Sequence, residues 1–392
     1  MKSLVIIPSR YPCQRHPTWH VFVRQIAHAI ARQGIEVTII TPLPFHRAWL
    51  GGDAFLTHED AGDGKKVTVY RPRCFSWGSR RIGKWNTFAL TIAGMHQAVR
   101  RVVRRHLRVK PDAIYGHFLY PGGGLAVLLG RELGVASFPA AGEISLDTLD
   151  PLGDARGRRD LLGATAFIAN SKHLARLMQQ RLGLESDGIG VFPNGVDQRV
   201  FYPRDQQDMR RKHGIPADGM LAGFVGGFER RKGATRVAAA LKGVDGVSGV
   251  FVGGGTEPPD GDRVAFCGRV PHDQVPEFLS TCDFFVLPTT DEGCCNAILE
   301  AMACGLPVIS SNGEFNDGIL TPEVSIRVDP MDVGALRAAI VRLRDDVALR
   351  KRMSHAALEW SEQFSIDRRA QCILQFMDDA VATPANIWKE RK

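Results

Sequence analysis

Residues 284–308 read FFVLPTTDEGCCNAILEAMACGLPV. The run Phe284–Leu287 has the length and composition of a buried strand. Glu292 and Gly293 then fall in a turn, Asn296 lies near a helix start, and Glu300 comes about one turn into that helix. Gly305-Leu306-Pro307 is a helix stop, and Val308–Ile309 begins the next strand. Free backbone amides at such a helix N-terminus hold anions, aided by the helix dipole. Gly293 lets a ligand approach the backbone closely. A carboxylate in the turn and another on the helix are suited to two different sets of hydroxyls.

Outward from this segment, apolar runs alternate with helical patterns over the whole chain. Leu4–Ile7 reads as a strand, about Val21 to Gln33 as a helix stopped by Gly34, and Val37–Ile40 as a strand. That order is a βαβ unit with parallel pairing. Further strands are expected near Val67–Tyr70, Ala113–Tyr115, Ala136–Phe138 and Ala166–Ala169. At Phe192–Pro203, FPNGVDQRVFYP, two prolines and Asn-Gly mark a linker. A second series follows at Leu221–Val225, Val250–Val252, Val264–Phe266, Phe284–Leu287 and Val308–Ile309. About Asp367–Ala382 is a helix with no strand after it. The expected fold class is α/β, with two doubly wound Rossmann-like domains whose ligands sit at the carboxyl ends of the strands, facing a central cleft. The expected domains are 1–198, with a terminal helix at about 367–392 packing back on it, and 199–366.

Composition narrows the class. The chain has 392 residues, 44% hydrophobic and 23% charged, which suits a two-domain globular protein rather than a disordered or fibrous one. A net charge of +8 favours anionic partners. None of the eight cysteines forms a CxxC pair or another metal-ligand spacing, and reduced thiols in a cytoplasmic protein are expected. No apolar run reaches the roughly 18 residues of a membrane-crossing helix, and Leu4–Ile7 is too short for a signal-peptide core. Pro8-Ser-Arg-Tyr-Pro follows the first strand where a dinucleotide oxidoreductase would carry GxGxxG.

EGCCNAILEAMACGLPV resembles the signature of retaining glycosyltransferase family 4, which has the GT-B fold and carries two glutamates spaced as Glu292 and Glu300 are. The resemblance extends in order through PDAIYGHFLYPGG (Pro111–Gly123), FIANSKHLAR (Phe167–Arg176), FPNGVD (Phe192–Asp197), FVGGFERRKG (Phe224–Gly233), FVGGG (Phe251–Gly255) and FCGRVPHDQVPEFLSTCDFFVLPT (Phe266–Thr289). It implies a nucleotide-diphosphate sugar donor, UDP- or GDP-linked, and a glycan or lipid-linked acceptor. The implied setting is cell-surface polysaccharide or lipopolysaccharide biosynthesis, by a hexosyltransferase-type retaining enzyme.

By that resemblance, Glu292 binds donor sugar hydroxyls and Glu300 the ribose, while the backbone of Gly293, Cys294, Cys295 and Asn296 holds the sugar and phosphates. Lys232 matches the family's diphosphate lysine. The family's arginine position is Gly227 here, beside Gly226, and Arg230 or Arg231 supplies the missing charge. Arg269 is also placed on the donor side. Departure of a nucleoside diphosphate builds negative charge, which preorganised cations stabilise. The catalytic set is therefore Glu292, Lys232 and Arg231. The family's glycine-rich first loop corresponds to PTWHVFV, with His20 where a glycine is usual. A His or Arg position becomes Ala141, followed by Gly142 and Glu143. His117, Glu143 and His20 are placed on the acceptor side. The leaving phosphate itself takes the acceptor proton, so no nucleophile is assigned. No cofactor and no metal is expected, because no DxD-like cluster is present and Lys232 with helix amides replaces it.

In the stretch Trp85–Lys110, Phe88, Ile92, Met95, Val99, Val102 and Val103 recur at helical spacing. Arg100, Arg101, Arg104, Arg105, Arg108 and Lys110 crowd its C-terminal half. These cations suit the helix dipole or an anionic membrane surface, the latter making the protein peripheral on the inner face of the membrane. No nucleic-acid partner is expected. A GT-B nucleotide-sugar epimerase and a non-catalytic GT-B partner subunit are the rival readings. The second is motivated by His20, Ala141 and Gly227.

Overall fold

The alternating runs become two separate sheets. The structure is a computed structural model describing residues 1–17, 19–45, 53–82, 85–143 and 145–383. The first sheet contains β1 (Ser3–Pro8), β2 (Glu36–Ile40), β3 (Leu56–Gly62), β4 (Lys65–Tyr70), β5 (Ala113–His117), β6 (Ala136–Ala141), β7 (Phe167–Ala169) and β8 (Ile189–Val191). Its strand order is β8-β7-β6-β5-β1-β2-β4-β3. β1 pairs in parallel with β2 and β5, so Leu4 lies opposite both Val37 and Ala113. The order reverses about β1, and the loops after β1 and β5 therefore leave the sheet on either side of a switch point, where a crevice forms.

The second sheet contains β9 (Met220–Phe228), β10 (Val247–Gly255), β11 (Val264–Gly268), β12 (Phe284–Leu287), β13 (Val308–Ser311) and β14 (Ser325–Val328), in the order β11-β10-β9-β12-β13-β14. Its pairings are parallel. The switch point lies between β9 and β12. Phe224, Phe251, Phe284 and Phe285 are fully buried on it. Each such side chain stabilises the fold by about 1.5–3 kcal/mol.

The chain separates into two compact units. The first is Met1–Phe192 with the stretch that begins at Asp367, and the second is Pro193–Ile366. The linker belongs with the second unit from Pro193 onward. Asn194 donates to the Cys294 carbonyl at 3.0 Å and to Asn296 Oδ1 at 2.8 Å, and the Val196 amide donates to the Phe364 carbonyl at 2.8 Å. The terminal helix Ile366–Ala382 returns to the first unit. There Asp367 accepts from Arg32 Nε at 2.8 Å and the Phe376 ring packs 5.5 Å from Phe192. Residues 384–392, included in the expected terminal helix, lie outside the described residues, as does Thr18 of the PTWHVFV loop.

The helix Val21–Arg32 buries Val23, Ile26, Ala27 and Ile30, a helical stripe facing the first sheet's core. Strands β3, β8 and β14 are additions to the sequence reading. β3 is an antiparallel edge strand paired with β4 through Asp63-Gly64. Both of those residues have positive φ, 52° and 70°, as a tight hairpin turn requires.

Candidate functional site

The second unit gathers its candidate residues at the switch point of its sheet. The loop after β9 carries Arg231 and Lys232, and the loop after β12 carries Thr289–Cys295. The Thr290 amide donates to the Arg231 carbonyl at 3.0 Å, joining the two loops. Arg236 reinforces the junction by donating to the carbonyls of Arg230 at 2.6 Å and Pro288 at 2.8 Å.

At this junction Glu292 is buried, and its Oε1 accepts from Arg231 Nη1 at 2.8 Å and from Lys232 Nζ. Arg231 also donates to the Asp291 carbonyl at 2.6 Å and to Glu229 Oε1 at 2.8 Å. Thr289 Oγ1 reaches the same Glu292 oxygen at 3.4 Å. Burial works against the Lys232 ammonium, yet Cys295 and Glu292 beside it outweigh that and hold its pKa above the usual lysine value. Burial pushes the Cys295 thiol up to about 11. Two cations thus share one buried carboxylate, and Glu229 pairs with Arg231 from its exposed side.

Of the two arginines left open by the sequence, Arg231 is the one beside Lys232. Arg230 is exposed, and its carbonyl is held by Arg236. Gly226 and Gly253 stand side by side near the ends of β9 and β10 with φ of 157° and 156°, and a Cβ on Gly253 would strike the Gly226 carbonyl oxygen. Close backbone packing therefore fixes glycine at this rim. Gly227 lies one residue further along β9. Arg269 is exposed and lies across Gly254, where a Cβ would run into its side chain.

The helix Asn296–Ala303 starts directly behind this loop, and no side chain caps its N-terminus. Gly293, Cys294 and Cys295 are buried at its start. Glu300 is buried and its Oε1 lies 3.2 Å from His272 Nε2. Burial lowers the His272 pKa, but the Glu300 hydrogen bond and charge raise it to a net value above the ordinary one. His272, Thr289, Arg236 and Asn194 were not singled out from the sequence. His272 and Thr289 lie inside the quoted motifs, but nothing about a lone His in a loop marks a partner on a distant helix.

The acceptor-side candidates lie in the first unit, also at its switch point. His117 ends β5 and is buried, with its Nδ1 3.2 Å from Tyr115 Oη. Burial, then Arg369 and His20, hold its pKa well below the usual histidine value. His20 precedes the helix Val21–Arg32 in a left-handed conformation, φ 46°. A glycine would adopt this conformation freely, whereas His20 holds it at a conformational cost. Burial, then Arg10, push its pKa down to about 4. Its ring packs on Phe22 and Phe118 at 5.2 and 5.1 Å. Phe118 also has positive φ, 66°, so two strained residues meet at this rim. Glu143 Oε1 accepts from the Leu119 amide at 2.9 Å and Oε2 from the Gly142 amide at 2.8 Å. Burial nevertheless raises its pKa to about 7.

Among the described residues, no group of three or more His, Cys, Asp or Glu is placed to hold a metal ion, and no helix is long and apolar enough to cross a membrane. The eight cysteines are free thiols.

The family model Glycosyltransferase Family 4 matches residues 20–200, and Glycosyl transferases group 1 matches residues 205–360. This chain belongs to glycosyltransferase family 4. The glycosyltransferase has the GT-B fold, with two Rossmann-like sheets. It is 26% identical over 363 residues to TuaC of Bacillus subtilis, a glycosyltransferase that its name assigns to teichuronic acid biosynthesis, with 87% of this chain and 88% of that one covered. Among solved structures, it resembles sucrose-phosphate synthase from Thermosynechococcus elongatus, with TM-score 0.75, 20% identity and 97% and 100% of the two chains covered. It also resembles HepE of Anabaena in complex with UDP-glucose, with TM-score 0.70, 16% identity and 97% and 100% covered.

Proposed function

We propose that this glycosyltransferase moves a sugar, with retention of anomeric configuration, from a UDP- or GDP-sugar to a glycan or lipid-linked acceptor in the building of a cell-surface polysaccharide. The observation that carries this reading is the pairing of Lys232 and Arg231 on buried Glu292, directly before an uncapped helix N-terminus. The structural neighbour HepE, bound to UDP-glucose, supports the donor class, and TuaC supports the polysaccharide setting.

In this reading the donor diphosphate binds Lys232, Arg231 and the amides at the start of Asn296–Ala303, competing with the carboxylates for the two cations. Glu292, relieved of one cation, accepts from hydroxyls of the transferred sugar. Glu300 accepts from the ribose, with His272 behind it fixing the carboxylate. As the bond to the anomeric carbon breaks, charge builds on the leaving phosphate. That phosphate then takes the acceptor hydroxyl proton on the same face. The cations and amides fill the part a metal would play, so the reaction needs none.

The acceptor side is assigned to His117, His20 and Glu143 in the first unit. Peripheral attachment to an anionic membrane, on the cytoplasmic side, belongs to the same reading. Arg101, Arg104 and Arg105 are exposed on the helix Phe88–His106, whereas Arg100 is paired with Glu132 at 3.0 Å.

The test is a thermal-shift screen of UDP-, GDP- and ADP-sugars, since a ligand that binds the native state raises its stability. It is followed by NMR assignment of the anomeric configuration of the product. A chain that shifts with no nucleotide sugar, or a product of inverted configuration, overturns the reading.

A further inference from the structure

The first unit contains a cavity of about 930 Å³ whose wall is made by the segments after β1, β2, β5 and β6 and by the start of the helix Phe88–His106. Its wall has two chemistries. On the loop after β1, the Arg10 guanidinium lies 5.0 Å over the Trp19 ring, and the His16 ring stacks on the same indole at 3.8 Å. Arg15 lines the cavity from the same loop. The two lining carboxylates are engaged elsewhere. Asp53 accepts from the Gln14 amide at 2.9 Å, and Glu143 accepts from the Leu119 and Gly142 amides. Among the described residues, neither Arg10 nor Arg15 has a carboxylate partner.

The other part of the wall is apolar. Phe88 packs 6.4 Å from Tyr120, with Met95 two turns further along the helix and Leu43 also lining the space. A free sugar would leave hydroxyls without partners against this surface. The apolar wall also reaches the outside. Ser76 lines the cavity, and its neighbours Phe75 and Trp77 are 70% and 63% exposed. Leu90, two residues beyond Phe88, is 59% exposed. This rim lies in a stretch, residues 64–111, that holds 13 Lys and Arg and no Asp or Glu. Exposed aromatic rings in a stretch this rich in cations match a bilayer interface with anionic headgroups.

We propose that the cavity binds an apolar chain bearing a phosphate or diphosphate. The anion sits at Arg10, Arg15 and His16, and the first carbons of the chain lie along Phe88, Met95 and Leu43. The chain leaves past Phe75 and Trp77 toward the membrane. This rests on the acceptor-side reading above and narrows it to a lipid-linked phosphate. Phosphate oxygens match the guanidinium fork, and chain carbons match the Phe88, Met95 and Leu43 side chains, which offer no hydrogen bonds.

The test uses the full chain and a binding readout, calorimetry or thermal shift, with farnesyl diphosphate, inorganic pyrophosphate and farnesol at equal concentrations. UDP, GDP and ADP are run beside them as probes of the donor site. Farnesyl diphosphate is expected to bind at least tenfold more tightly than either fragment. The double variant Arg10→Ala/Arg15→Ala is expected to lose that affinity by about tenfold or more while keeping its nucleotide response. Lys232→Ala is expected to keep farnesyl diphosphate binding and lose the nucleotide response. Pyrophosphate binding as tightly as farnesyl diphosphate would make this a free-phosphate site, and equal binding of farnesol would remove the cations from it. Either result overturns the proposal, as does loss of farnesyl diphosphate binding in Lys232→Ala. A chain that responds to a nucleotide but not to farnesyl diphosphate overturns this inference and leaves the donor reading standing.

Discussion

Lys232 and Arg231, adjacent on the loop after β9, donate to the same buried oxygen, Oε1 of Glu292, on the loop after β12. One carboxylate thus holds two cations in place before a diphosphate arrives. Preorganisation of this kind lowers the cost of meeting the charge that develops on the leaving group.

Lys232→Ala should reduce transfer by roughly 10²–10³-fold, the effect of removing one preorganised group from a developing charge. The fold should survive, because Arg231 still pairs with Glu292. Circular dichroism with an initial-rate assay checks both statements, and full activity would sink the diphosphate assignment. Glu292→Gln should act in the opposite sense on binding. With one competing charge gone, free nucleoside diphosphate should bind several-fold more tightly while turnover falls.

The Glu300–His272 pair predicts a pH dependence of stability. The folded pKa of His272 is raised above its ordinary 6.5. Its stabilising contribution is therefore fully present below pH 6.5 and is lost as pH rises through the folded value. His272→Ala should lower Tm more at pH 6 than at pH 9. With the ring about a third exposed, the effect is on the order of 1 kcal/mol, or about 2–4 °C. Equal losses at both pH values would show that the pair is not ionic.

Glu143 has the same sign. Its pKa rises from 4.5 to about 7 on burial. It favours folding most below pH 4.5, and that contribution disappears as pH approaches 7. Between these values the wild type should lose stability relative to Glu143→Gln, measured as the difference in Tm across a pH series. A flat difference would mean that the carboxyl is ionised throughout.

The exposed arginines predict salt-sensitive membrane binding. The protein should sediment with vesicles containing anionic lipid at low salt and be released at high salt. Replacing Arg101, Arg104 and Arg105 by Ala should weaken binding by about 1 kcal/mol each, on the order of a hundredfold together. Absence of binding at every salt concentration would remove this part of the function.

Much of the fold was legible because parallel strands buried on both faces appear as continuous apolar runs. Phe284–Leu287 has the same bounds in the sequence reading and in the structure. Strand β3, LTHEDAG, escaped because it is a polar edge strand, half exposed, and its only local mark is Asp63-Gly64. β8 (IGV) is interrupted by Gly190 and β14 (SIRV) carries Ser325 and Arg327, so neither gives the continuous apolar run that marks the other short strands.

For the candidate site, residue type and spacing on one loop or helix could be read directly. Glu292, Gly293, Asn296 and Glu300 fall on a single strand–turn–helix, where local geometry follows from the chain itself. The sequence alone therefore determined the two doubly wound sheets and the loops that carry their sites. Tertiary structure decided the partners: Arg231 rather than Arg230 beside Lys232, His272 behind Glu300, and the cationic and apolar walls of the first unit's cavity. These depend on which loops the strand order brings to each switch point, and strand order is set by packing between elements far apart in the chain.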